Sequence, residues 1–196
     1  MARVPVETIA LGAAVAALAL LARPAASVSD EALPENLAAP PWPLPDVGFA
    51  PVIAPPFPGG HEEFDNQILY AVGLVGLTDP LAPLLVKAII AHESGWNARA
   101  LGDAGCSKGL MQVNGCAHPS LDRDRGGAYD LFEPNQNILA GTQLLAGAWV
   151  WWPDWERVLV AYNGPALAQA GTRSNRYSQA VAPRFVAYAA TAGVAV

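Results

Sequence analysis

The chain has 196 residues, 53% hydrophobic and 14% charged, with a net charge of −6 and a pI near 4.9. That length suits one domain with appendages, and the absence of any Lys/Arg block excludes the electrostatic footprint of a nucleic-acid partner. An acidic chain also gains little from anionic membranes, so membrane contact falls to the N-terminal segment alone.

Arg3 precedes an uncharged run from Thr8 to Ala22, which ends at Arg23. Such a run rises about 22 Å as a helix, short of a ~30 Å bilayer core. The length fits the hydrophobic region of a signal peptide, and Ala25-Ala26-Ser27 supplies small residues for cleavage. Glu7 and a possible extension to Val28 keep an uncleaved anchor open. Residues 1–27 are therefore read as a signal peptide or membrane anchor, and the protein as exported.

Residues 28–60 hold nine prolines. Proline at this density excludes helix and removes ladder donors, which predicts an extended linker of polyproline type. Trp42, Phe49, Val52, Ile53 and Phe57 are unusual in a spacer and leave open packing onto the folded domain or a partner.

Residues 61–196 read as that folded domain. Phe64, Ile68, Leu69, Val72 and Val75 predict a helix over 62–76. Thr78 or Asp79 can cap the next, with Pro80 at its first position, and Gly95 ends it. Leu85, Ile89 and Glu93 fall on one stripe of that helix. A carboxylate at the end of an apolar stripe is costly to ionise. A carboxyl kept protonated near neutral pH can act as a general acid, which points to cleavage of an acid-labile bond.

Residues 97–132 read as loops, with short strands around Leu110-Met111-Gln112-Val113. Asp103, Asp122 and Asp124 within them read as solvated charges, each also a candidate second carboxylate. Cys106 and Cys116 are expected to bridge in an oxidising compartment, two buried thiols being the alternative.

A helix opens at Pro134-Asn135 with an apolar face of Ile138, Leu139, Thr142, Leu145, Ala146, Trp149 and Val150, and breaks at Pro153. Trp149, Trp151, Trp152 and Trp155 read mainly as core. Further helices cover 155–162, ended by Asn163-Gly164-Pro165, and roughly 175–190, with a kink expected at Pro183. No strand–helix alternation appears, so a parallel sheet is not expected.

His92-Glu93 opens like a zinc-protease motif, but Trp96 stands where the second histidine is required. No Gly-x-Ser-x-Gly elbow and no phosphate loop is present. His92 and His118 lack metal-ligand spacing with the cysteines.

Glu93-Ser94, then Gly109-Leu110-Met111-Gln112-Val113, then Ala161-Tyr162-Asn163-Gly164 stand in an order and spacing that resemble the soluble lytic transglycosylase (SLT) family, relatives of goose-type lysozyme. The match runs over residues 84–165, and Asn137-Ile138, Gly141 and Leu144-Leu145 fit the family's linking helix. The resemblance implies a mostly α, lysozyme-like fold with a few short strands or loops near the active site. It implies cleavage of the bond between N-acetylmuramic acid and N-acetylglucosamine in peptidoglycan, release of a 1,6-anhydro sugar, and no metal or other cofactor.

Carried over by position, Glu93 is the acid and then the base, and Ser94 orients the carboxyl or the substrate. Met111 and Gln112 line the sugar site, Tyr162 hydrogen bonds near Glu93, and Asn163 sits beside it. The chain departs from the family in Cys106-Ser107-Lys108 before Gly109, with Cys116 soon after, and in Pro165. A bridge there would stiffen the loop carrying Gln112.

The alternatives are a hydrolytic lysozyme using a second carboxylate and a non-cleaving peptidoglycan-binding module. The expected partner is the glycan strand, with a secretion, conjugation or phage assembly compatible with the same chemistry. The expected place is the periplasm or cell envelope, whether free, membrane-anchored or virion-associated.

Overall fold

A computed structural model describes residues 55–196. The signal or anchor reading and most of the linker lie outside them. Among the described residues are six α-helices and one small antiparallel sheet. None of those helices is long and apolar enough to cross a membrane.

The core is organised around α2, Ala82–Glu93. Every residue from Ala82 to Ile90 is buried, so this helix is enclosed on all sides rather than amphipathic. It packs chiefly on α6 (Arg176–Thr191) and on α1 (Asp65–Leu74). Its start lies two residues later than the proline signal implied. Asp79 accepts the Leu81 N–H at 2.8 Å, and Pro80-Leu81 form a turn ahead of the helix. Gly95 does end it, at φ 55°.

Enclosing α2 confronts the fold with Lys87, which has no exposed surface. Its ammonium meets Asp65 Oδ1 at 2.6 Å and the Phe57 carbonyl at 3.0 Å. The other Asp65 oxygen accepts the Phe57 N–H at 2.6 Å. A buried charge persists only when paired and hydrogen-bonded, and here both conditions are met. Phe57, read from sequence as part of a spacer, is a core residue, 2% exposed.

After α2 the chain forms three two-residue strands, β1 Leu101–Gly102, β2 Ser107–Lys108 and β3 Val113–Asn114, in that order in the sheet. Leu101 pairs with Lys108, and Lys108 with Val113. The expected strand over 110–113 is instead a turn, entered through Gly109 at φ 72° and left through Gln112 at φ 48°, with only Val113 in a strand. Cys106 and Cys116 are disulfide-bonded and join the β1–β2 connection to the chain just after β3.

Asp122 is not a solvated charge. It is 1% exposed and both its oxygens accept from Lys108 Nζ, at 3.0 and 2.8 Å. That pairing removes it as a second carboxylate. Exposed Asp124 caps the same ammonium at 2.7 Å.

Helix α3, Pro134–Trp151, packs on α1 and on α4, Trp155–Asn163. Asp154 caps α4 by accepting the Arg157 N–H. Short α5, Pro165–Gln169, begins at Pro165 itself. Asn175 and Ser178 form a capping box at the start of α6, which continues through Pro183 on its exposed side.

Val150, placed by periodicity on the apolar face of α3, is 80% exposed, because α3 outruns the core in its last turn. The tryptophans are correspondingly less buried than expected. Trp149 packs on Trp155 and Trp155 on Phe185, whereas Trp151 is 57% exposed.

Candidate active site

Glu93 is the last residue of α2 and the point where the enclosed helix meets a cleft of about 320 Å³. The cleft is also lined by Gly102, Asp103 and Ser107 from the first hairpin, by Gln112, Val113 and Asn114 from the second, and by His118 from the loop that follows it. Leu144 of α3 and Tyr162 and Asn163 of α4 close it. Glu93, Gln112, Tyr162 and Asn163, distant in the chain, thus share one cavity.

Burial raises the Glu93 pKa above the ordinary carboxyl value, Tyr177 opposes that rise, and the negative charge of Asp103 adds to it. The dominant cause is desolvation of the charged form, which favours a protonated carboxyl at rest.

Tyr177 is the residue that sequence reading missed. It is buried on α6, and its hydroxyl is directed at the Glu93 carboxyl without closing a hydrogen bond of good geometry there. Its ring stacks on Tyr162 at 6.3 Å and takes the edge of His92 at 5.2 Å. Burial, with the Glu93 charge next in weight, holds both phenols above their ordinary pKa.

Tyr162 was expected to bond near Glu93. Its hydroxyl instead donates to the Met111 carbonyl at 2.8 Å. It thereby ties α4 to the turn that presents Gln112.

Met111 and Ser94 stand apart from the other sequence candidates. The Met111 side chain is fully buried and packs against Gly141, where a Cβ would collide with its sulfur. The Ser94 hydroxyl donates to the Ile90 carbonyl at 3.3 Å, within its own helix end, and does not line the cleft.

Gln112 is held from two sides. Its amide nitrogen donates to the Gly109 carbonyl at 2.9 Å, and its Oε1 lies 2.6 Å from where a Gly102 Cβ would be. Asn163 is exposed at the rim, and its Oδ1 accepts from Asn175 at 3.3 Å. Burial keeps His118 below the ordinary histidine pKa, so the cleft wall there favours a neutral imidazole.

Beneath this wall, buried Asn137 accepts the Met111 N–H at 2.7 Å and donates to the carbonyls of Lys108 and Leu131, both at 2.8 Å. Gly109 sits against that same amide, and a Cβ there would strike the Leu131 carbonyl and Asn137. Gly109→Ala is therefore expected to cost about 2–4 kcal/mol through strain and overpacking. Thermal melting measures that loss, and an unchanged melting temperature contradicts it.

The model of the transglycosylase SLT domain matches residues 76–184, more than half of the chain. The chain belongs to the SLT transglycosylase family. No solved structure matches it. The mostly helical fold with its three-stranded sheet is that of a lysozyme-like SLT domain. At the family level the activity is peptidoglycan cleavage of the lytic transglycosylase type, and the envelope is where such a domain works. In this SLT domain the carboxyl of Glu93, the amide of Gln112 and the phenol of Tyr162 on α4 meet at one cavity, and buried Tyr177 on α6 stands against Glu93 outside the cavity lining.

Proposed function

We propose that this SLT domain cuts the bond between N-acetylmuramic acid and N-acetylglucosamine in glycan strands and releases 1,6-anhydro-muramyl ends. The supporting observation is Glu93, its carboxyl pKa raised by burial, at the wall of a polar cleft. Protonated Glu93 gives its proton to the leaving glycosidic oxygen. The acetamido carbonyl of the muramyl residue attacks its own anomeric carbon, which is the substrate-assisted route. Ionised Glu93 then takes the proton of the O6 hydroxyl as O6 closes on that carbon.

Gln112, Tyr162 and Asn163 are assigned to the sugar site. Met111 and Ser94 are assigned to positioning, through the Met111 carbonyl and the end of α2. The protein is assigned to an exported location, with residues 1–27 as signal or anchor, 28–60 as linker and 61–196 as catalytic domain. The Cys106–Cys116 disulfide supports an oxidising compartment.

Digestion of purified sacculi followed by mass spectrometry tests the reading. Soluble fragments one water lighter than hydrolytic products are expected. Reducing muramyl ends alone, or no release, would overturn it.

A further inference from the structure

Substrate-assisted cleavage leaves a chemical demand that Glu93 cannot meet. When the acetamido oxygen attacks, positive charge spreads over the anomeric carbon and the acetamido group. Fixed negative charge beside them lowers the barrier only if it is already in place. Glu93 enters the step neutral, and its charge appears only as the proton leaves.

Among the residues lining the cleft, Asp103 is the one other carboxylate. It stands exposed at the mouth, yet its charge reaches Glu93. Ser107, buried beside it, donates its hydroxyl to Asp103 Oδ2 at 2.6 Å. That bond orients the carboxylate, and among the described residues nothing bonds Oδ1.

The backbone is set for this placement. Asp103 and Ala104 both adopt left-handed conformations, φ 49° and 53°. Two consecutive non-glycine residues there are costly, and such strain collects at functional positions. The turn is held by β1–β2 pairing, by the Cys106 N–H donating to the Asp103 carbonyl, and by the disulfide at Cys106.

We propose that Asp103 is a catalytic residue. Resting on the anhydro-forming reading above, it accepts a hydrogen bond from the acetamido N–H of the muramyl residue and carries the counter-charge for the cyclised intermediate. In that step the bond from the anomeric carbon to the leaving oxygen breaks as the bond to the acetamido oxygen forms. The Glu93 proton goes to the leaving oxygen. Two carboxylates then flank one cation, so the charge arising on Glu93 is balanced as it forms. O6 next displaces the acetamido oxygen and its proton returns to Glu93, while Asp103 neither gains nor loses a proton.

The test is Asp103→Asn, which keeps shape and tolerance for the left-handed backbone while removing the charge. Initial rates on purified glycan strands should show kcat lower by about 10²–10³-fold, the size of one lost transition-state contact. KM should stay near that of the unmodified protein. The alkaline limb of the kcat–pH profile should move to lower pH, because the charge that helps keep Glu93 protonated is gone.

Unchanged kcat would overturn the proposal. So would loss of water-adduct products alone with anhydro release intact, since that makes Asp103 a base for water. Should the Asn variant not fold, Ser107→Ala serves. It frees the carboxylate, with an expected kcat loss of about tenfold, and full kcat there overturns the proposal. Failure of the parent reading looks different, because the unmodified protein would then release no anhydro ends at all.

Discussion

Replacing Glu93 by glutamine is expected to abolish glycan cleavage while making the folded domain more stable near neutral pH. The amide keeps the shape of the neutral carboxyl but can neither give nor take a proton. Proton transfer by a positioned side chain contributes typically 10²–10⁴-fold. Here the same group is assigned to both steps, so the loss should lie at or beyond the upper end of that range. Dye release from labelled sacculi measures it, and retained activity would refute the assignment.

The stability effect has a definite sign. Burial raises the folded-state pKa of Glu93 above its unfolded value. The folded state therefore holds its proton over a range of pH in which the unfolded chain has lost it. By linkage this group's contribution is fully present below the ordinary glutamate value of about 4.3 and is lost as pH rises through the raised folded value. Glutamine never ionises and escapes that loss. The two proteins should melt alike at low pH, and the Gln variant should melt higher at neutral pH. A Gln variant that melts lower at neutral pH would show that the Glu93 charge is welcome in the cleft, contrary to its burial. The same titration should set an alkaline limb on the rate of the unmodified enzyme.

The sequence made Glu93 legible because three local signals coincide there: an apolar stripe, a helix stop at Gly95 and a motif in order with Gln112 and Tyr162. Helix positions were legible for the same reason, since capping and proline signals act within a few residues. Tyr177 was not, because it reaches Glu93 only through the packing of α6 on α2, and no spacing rule expresses that contact. Asp103 was visible as a charge but not as a cleft residue, because its direction depends on two left-handed residues and a hairpin of two-residue strands. Asp122 looked the same in sequence and proved to be buried under Lys108. What separates the two aspartates is tertiary pairing. A usable clue lay in Lys87, a lone cation inside an apolar helix, since such a group demands a buried anion somewhere in the chain.

That demand carries the largest expected stability effect. Lys87→Met keeps the length and helix propensity of the side chain but leaves the Asp65 carboxylate, 1% exposed, without its cation, and leaves the Phe57 carbonyl without its donor. Removing one partner of a buried pair typically costs about 3–5 kcal/mol, or on the order of 10 °C in melting temperature for a domain of this size. The pair also reaches toward the site, because Lys87 lies on the helix that ends at Glu93, and its ammonium stands 6.0 Å from the centre of the Trp96 ring. Lys87→Met with Asp65→Leu removes both charges together. That double variant should recover most of the loss, because apolar replacement of a whole buried pair is often neutral or better. Calorimetry on the two variants separates the cost of an orphaned charge from the cost of lost packing. Equal destabilisation in both would mean that the pair itself matters less than the way its stems fill the core. A chain beginning at Gly60 lacks Phe57 and both of its backbone bonds to the pair, and it should be destabilised as well. Full stability of that shortened chain would show that the end of the proline-rich segment contributes nothing to the fold on which Glu93 depends.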